Sequence, residues 1–297
     1  MFKRVLVPLD GSEAAEIVLP YVQEIAGRGG AQVEFVSVSE ARLGDADTRH
    51  LYGSYLEQLT GRVRQRLWEL GAGPAVEVRG EILIGRPADE ILRYAEFTNA
   101  SLIVMASRGA SGEGPWLLGN IAAKVLRATG KPVVLVRASL SEPRARKQLV
   151  KRILVPLDGS LIGAAAIPFT EELAHAMNAE IVLLHSVQPV SVVATLAEVG
   201  TSLPEAAVAS VKREEAAAYL DSIKNELGTK RLKASTVVCD GSPAEQIIDY
   251  ARTNAIDLIA MSSHGRTGIG RWVFGSVTDK VLHAGDLPVL VVRATRP

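Results

Sequence analysis

The sequence predicts an α/β protein made of two tandem, doubly wound domains, each a five-stranded parallel sheet in the strand order 3-2-1-4-5. Three observations carry that expectation. The segment Lys3-Arg-Val-Leu-Val-Pro-Leu-Asp-Gly-Ser12 returns as Lys151-Arg-Ile-Leu-Val-Pro-Leu-Asp-Gly-Ser160, changed only at Val5 against Ile153, so the chain is a duplication. In both copies short runs of Val, Ile and Leu alternate with helix-length amphipathic segments, as parallel strands covered on both faces require. A glycine-rich stretch follows the fourth apolar run of each copy in register.

Taken in order, each copy opens with a buried strand, Arg4 to Leu9 or Arg152 to Leu157. It ends at Asp-Gly-Ser, where Ser12 or Ser160 is placed to cap the next helix. That helix runs from Glu13 to Arg28, perturbed by Pro20, and its counterpart from Leu161 to Met177. The second strand is Gln32 to Val38 or Glu180 to Val187. A variable excursion then leads into a long amphipathic helix, Tyr52 to Leu70 or Pro204 to Leu227. The third strand is Val76 to Ile84 or Ala234 to Val238. Gly-x-Pro starts the next helix, Ala88 to Thr98 or Ala244 to Thr253, with proline in its first turn. The fourth strand, Leu102 to Ala106 or Leu258 to Ser262, feeds the glycine loop. A last helix and a final strand, Val133 to Val136 or Val289 to Val292, close the unit.

Pro20 and Pro168 keep the 148-residue spacing of the opening strands, whereas Gly85 and Gly241, Gly109 and Gly265, Gly119 and Gly275, and Pro132 and Pro288 are 156 apart. The second copy therefore carries eight extra residues between its second and third strands. The expected domains are 1–138 and 151–297, joined by a polar linker at 139–150 that is interrupted by Pro143 and is short enough to keep the halves packed together. The two final strands lie at sheet edges and are expected to pair antiparallel, with each other or with those of a second chain in a homodimer.

Composition narrows the function classes. Lys plus Arg number 33, as do Asp plus Glu, so no overall field draws the chain to nucleic acid or an anionic membrane. The basic residues of the long helices (Arg62, Arg64, Arg66, Lys212, Arg213) are offset by acids and read as solvated faces. The apolar runs are strand-length, too short for a bilayer span. The N-terminus meets Asp10 too soon for a signal peptide, so a cytoplasmic location is expected. Cys239, the single cysteine, reads as a buried strand residue. Trp116 and Trp272 match at the repeat spacing and read as packing anchors.

The stretch from Met261 to Thr278 holds the densest chemical signal. A strand ends in small residues, glycines at 265, 268, 270 and 275 follow, and Ser276 opens a helix. Such a loop turns backbone amides toward an anion at a helix start; equally, it makes a tight strand-to-helix turn. It is neither a Walker A loop nor G-x-G-x-x-G. In a sheet of order 3-2-1-4-5 the switch point lies between the first and fourth strands, which brings Asp158 and this loop to one crevice.

These residues resemble the universal stress protein family in its tandem form, over essentially the whole chain. The match rests on the Val-Pro-Leu-Asp-Gly-Ser strand end, the Gly-x-Pro helix start, the loop resembling G-x-x-G-x9-G-[S/T] and the closing Pro-Val-Leu-Val strand. The resemblance implies adenine-nucleotide binding, usually ATP, with or without Mg2+, and a role in stress survival or signalling. Carried onto this sequence, it implies a site of Pro156, Leu157, Asp158, Ser186, Ser262, His264, Gly265, Arg266, Gly275, Ser276, Val277 and Thr278. Asp158 would face the ribose hydroxyls or a magnesium-bound water, Ser186 would meet adenine through its backbone, and Ser276 and Thr278 would add hydroxyl donors to the amides around the phosphates. Ser262 departs from the motif's first glycine, either hindering close approach to a phosphate or replacing it with a hydrogen bond. His264 either touches a phosphate or shapes the loop.

The first copy supplies a weaker set, Asp10, Val38, Ala106, Gly109, Gly119 and Asn120. Ala106 stands at the motif's first glycine and Asn120 at its Ser/Thr. Glu113 adds a carboxylate that disfavours a phosphate by about a kcal/mol or more, and Pro115 lacks an amide proton, whereas the second loop holds Arg266 and Arg271. The second copy is therefore the expected principal site. The readings set against an ATP-binding regulator are a stress-linked interaction module that no longer binds nucleotide and a slow ATP hydrolase. The chain shows no metal-ligand spacing among its histidines and no nucleophile elbow, so no catalytic residue is assigned.

Overall fold

The structure is a computed structural model and describes residues 2–40, 46–72, 76–109, 118–137, 148–188, 205–264 and 274–294. The first half runs β1 (Arg4–Pro8), α1 (Glu13–Glu16), α2 (Leu19–Gly29), β2 (Gln32–Ser39), α3 (Ala46–Glu69), β3 (Val78–Ile84), α4 (Pro87–Phe97), β4 (Leu102–Ala106), α5 (Asn120–Ala128) and β5 (Val133–Val136). The second runs β6 (Arg152–Pro156), a 3-10 turn (Gly163–Ala166), α6 (Ile167–Met177), β7 (Glu180–Val187), α7 (Glu205–Thr229), β8 (Ala234–Asp240), α8 (Pro243–Thr253), β9 (Leu258–Ser262), α9 (Ser276–Ala284) and β10 (Val289–Val292). The linker and the eight-residue excess fall in stretches outside the described residues for the most part.

One ten-stranded sheet holds both halves, in the order β3-β2-β1-β4-β5-β10-β9-β6-β7-β8. Each half keeps the order 3-2-1-4-5 with parallel pairing. The halves meet where β5 and β10 run antiparallel, Val134 opposite Leu290. An edge strand with unpaired amides and carbonyls is open to association, and here each half covers the edge of the other. The expected antiparallel pairing is thus made within the chain.

Alternation along the strands divides the core into two layers. Val5 and Val7 face Val18, Tyr21, Leu56 and Leu59 on one side of the sheet, while Leu6 between them faces Ile91 and Val125 on the other. The second half repeats this with Ile153 and Val155 against Leu173 and Leu220, and Leu154 against Ile247 and Val281. Leu6 and Leu154 are fully buried, and burial of such a side chain is worth about 1.5–3 kcal/mol. No helix among the described residues is long and apolar enough to cross a membrane.

The helix after the first strand departs from the continuous one expected. In the first half it breaks between α1 and α2, and Pro20 sits in the first turn of α2 because its ring fits there but not in a helix interior. In the second half the 3-10 turn replaces α1, and Pro168 again lies in the first turn of the following helix. The capping expectation holds in the first half, where Ser12 Oγ accepts from the Ala15 amide at 3.2 Å; in the second half Ser160 Oγ accepts from the Gly163 amide at 2.9 Å, but the 3-10 turn begins after Ile162 and α6 after Ala166, so Ser160 caps neither. Cys239 lies on β8 but is only half-buried, with Sγ 3.6 Å from the His185 carbonyl oxygen; burial, the leading cause, pushes its thiol pKa up.

Candidate functional site

In the second half β6 is hydrogen-bonded to β7 on one side and β9 on the other, so the chain leaves its central strands in opposite directions and opens a crevice at their carboxyl ends. A half-open cavity of about 650 Å³ occupies it. Ten of the twelve residues expected for the second copy line this cavity: Pro156, Leu157 and Asp158 from the end of β6, Ser186 from β7, Ser262 and His264 after β9, and Gly275, Ser276, Val277 and Thr278 at the start of α9. Gly265 and Arg266 lie outside the described residues, as do Glu113, Pro115, Trp116, Arg271 and Trp272.

Local chemistry fixes each wall. Asp158 Oδ1 accepts from the Ser160 amide at 3.0 Å and the Ser160 hydroxyl at 2.7 Å, a turn that Gly159 permits with a φ of 82°. The carboxylate then rests on Gly163, where an added Cβ would collide with Oδ1. Opposite, α9 starts at Gly275, whose amide donates to the Ser263 carbonyl at 2.9 Å and whose lack of a side chain leaves the helix without a side-chain cap. The first amides of a helix have no intrahelical partner and carry its positive end, so the wall formed by Ser276, Val277 and Thr278 is suited to an anion.

Two hydroxyls are used differently from the expectation. Thr278 Oγ1 is buried and donates to the Ser262 carbonyl at 2.9 Å, so its single proton braces α9 against β9 and is not free for a ligand. Ser262 donates to the His264 carbonyl, so its hydroxyl shapes the loop. His264 Nδ1 also takes part in loop shaping, hydrogen-bonding with the Ser263 hydroxyl at 3.0 Å. Ser186 Oγ donates to the Gly241 carbonyl at 2.9 Å.

Sequence reasoning missed one wall. Lys212, Glu215 and Tyr219 of α7 also line the cavity. Their spacing of three and four residues puts them on one helical face, a signal that was available but gave no indication of where along the sheet α7 lies. Lys212 and Glu215 are exposed, as read, and Arg213 pairs with Asp240.

The first half places its candidates differently. Asp10 makes the same turn, accepting from the Ser12 amide at 3.1 Å and the Ser12 hydroxyl at 2.6 Å, beside Gly11 with a φ of 81°. Its second oxygen, Oδ2, lies against Gly109, where any Cβ would collide with it. Ala15 holds the position equivalent to Gly163. Ala106 ends β4, Asn120 opens α5, and Gly119 donates to the Ser107 carbonyl at 2.8 Å as Gly275 does to Ser263. Val38 lies near the end of β2. Ala122 stands where the second half has Thr278. Nearby, the Tyr55 phenol is driven well above its ordinary pKa, first by burial and then by the Glu16 carboxylate, and stays neutral.

The repeated strand ends, glycine turns and helix starts are those of a known family, whose model, described as the universal stress protein family, matches residues 1–137 and again residues 150–293. The chain belongs to the universal stress protein family, in tandem form. It is 32% identical over 149 residues to the universal stress protein YxiE of Bacillus subtilis, covering 49% of this chain and all of the relative. It is 26% identical over 231 residues to a universal stress protein of Mycobacterium tuberculosis, covering 75% of this chain and 72% of the relative. A universal stress protein from Archaeoglobus fulgidus has the same fold, with a TM-score of 0.69 and 22% identity over 98% of both chains. The two copies of this chain carry different residues at the crevice, Ala15 against Gly163 and Ala122 against Thr278.

Proposed function

We propose that this universal stress protein is a nucleotide-binding regulator of a stress response, and that its principal site is the cavity of the second half, with ATP as the ligand. What carries the reading is one juxtaposition: the amino end of α9, which has no side-chain cap, and Asp158 both line one cavity of about 650 Å³ whose walls are apolar and polar. The helix end attracts the phosphates, which the amides of Ser276 and Val277 and the Ser276 hydroxyl bind. Asp158 accepts from the ribose hydroxyls. Leu157, Val187 and Ile247 offer an apolar wall to the base beside the Ser186 backbone. Gly265 and Arg266 complete the loop in this reading. Magnesium would be held by the phosphates and, through water, by Asp158, since the described residues form no group of three metal-binding side chains.

In the same reading residues 1–138 and 151–297 are the two folding units and 139–150 their linker. The first half, with Asp10, Val38, Ala106, Gly109, Gly119 and Asn120, is the weak or silent copy. The protein binds and releases its nucleotide in the cytoplasm without appreciable turnover. It works as a single chain or, through surfaces other than the paired β5 and β10 edges, as a homodimer.

The test is calorimetric titration of nucleotide-free protein with ATP and Mg2+. One molecule of ATP per chain, weakened in Asp158→Ala and kept in Asp10→Ala, is the expected result. Silence at millimolar ATP would leave the interaction-module reading in its place, and hydrolysis well above one turnover per minute that depends on Asp158 would favour an enzyme.

A further inference from the structure

The helix that presents its amino end to the cavity belongs to the second half, yet the first half grips it at both ends. At the carboxyl end, Arg137, just past β5, donates to the carbonyl of Leu282 in the last turn of α9. Arg137 is buried, with Asp286 of the second half and Arg108 of its own half as the charged groups nearest to it. A cation at this end complements the negative pole of the helix and satisfies a carbonyl that has no intrahelical partner. At the amino end, the Arg127 guanidinium of α5 lies 5.9 Å above the ring of Phe274, the residue before Gly275. Phe274 is itself buried.

The reciprocal grip is weaker. Arg293, which stands 156 residues after Arg137, reaches the carbonyl oxygens of Ala128 and Thr129 at 3.2 and 3.5 Å, but it is exposed. The positions matching Phe274 and Arg127 are Leu118 and His283, a pair with no aromatic ring for a cation to cover. The stronger grip therefore falls on the helix that carries the proposed site.

We infer that Arg127 and Arg137 are positioning residues through which the first half sets the amino end of α9 for the phosphates of a nucleoside triphosphate. The silent half thereby acts as the brace of the binding half. The inference rests on the nucleotide reading above for the ligand, though not for the brace itself.

The experiment uses the full chain in three forms: wild type, Arg137→Met, and Arg127→Gln, which alters an exposed side chain and leaves the core intact. Hydrogen exchange of the α9 amides without ligand reads the brace. Titration with ATP and with adenosine reads its consequence. Each variant is expected to speed exchange in α9 several-fold and to weaken ATP about tenfold while changing adenosine less than about twofold. Arg137→Lys, which keeps the charge but not the planar fork, should recover part of the loss. Unchanged α9 exchange in both variants overturns the brace, and equal weakening of ATP and adenosine overturns its action on the phosphates. If wild type binds neither ligand, the nucleotide reading fails, and the exchange rates still decide the brace.

Discussion

Asp10 and Asp158 end the same strand, accept the same two bonds from a serine two residues on, and follow the same left-handed glycine turn. They differ in what lies beneath them. Asp158 rests on Gly163, so its carboxylate lies toward the 3-10 turn, on the wall of a cavity that reaches to α9. In the first half Ala15 has a methyl group at that position, and Asp10 packs on Gly109 after β4. One methyl group therefore distinguishes two turns built on nearly identical strands. A duplicated fold is kept by its core, which is set by volume and alternation; a site is kept by a few contacts that the fold does not require.

The core side of the comparison gives the largest expected effect. Leu6→Ala and Leu154→Ala each empty a fully buried position on the same face of matching strands and should each destabilise the chain by about 2–5 kcal/mol in denaturant melts. Because one sheet spans both halves, the losses should be similar. A ratio of two or more between them would break the claim that the halves share one scaffold.

The site side is next. Asp158→Ala should weaken ATP roughly 10- to 100-fold, the usual worth of a hydrogen bond to a charged group, with Asp10→Ala leaving affinity within about twofold. Equal losses would mean that both crevices bind. A finer probe is Gly163→Ala, which puts the first half's methyl group into the second half's crevice; the carboxylate must turn, and ATP affinity should fall about tenfold by calorimetry with the melting temperature barely moved. Wild-type affinity in that variant would remove Ala15 from the account of how the two halves differ.

Much of this was readable in the sequence, for physical reasons that also mark the boundary. The strands were legible because parallel strands buried on both faces are written as unbroken Val, Ile and Leu runs, and the site's strand ends and helix start were legible because glycine marks them. The roles of Thr278 and Ser262 were not, since a hydroxyl's partner is fixed by distances of about 3 Å that spacing does not encode. Nor was the wall of Lys212, Glu215 and Tyr219: periodicity tells which face of α7 is buried but not which end of the sheet it covers. Arg137 gave no signal either, because its partner lies 145 residues away across the β5 and β10 seam.

The smallest expected effect concerns the seam between the halves. Glu24 of α2 accepts from the Leu149 amide at 2.7 Å, where the chain enters the second half, and lies 3.2 Å from Arg28. Glu172, the matching residue of α6, is less buried. Burial, the leading cause, raises the Glu24 pKa above its ordinary 4.5, against the opposing pull of the Leu149 amide, Arg28 and the Val150 amide and with some help from Asp257. The folded state then holds this proton more tightly than the unfolded chain. Its contribution to stability is complete below pH 4.5 and is lost as pH rises through the raised folded value. Glu24→Gln keeps an acceptor for the Leu149 amide and removes the titration. The melting temperature of the variant relative to wild type should therefore climb between about pH 4 and pH 7, by on the order of a degree or two. A difference for Glu24→Gln that stays flat, or falls as pH rises, would show that the Leu149 and Arg28 contacts outweigh burial and that the seam favours the charged carboxylate.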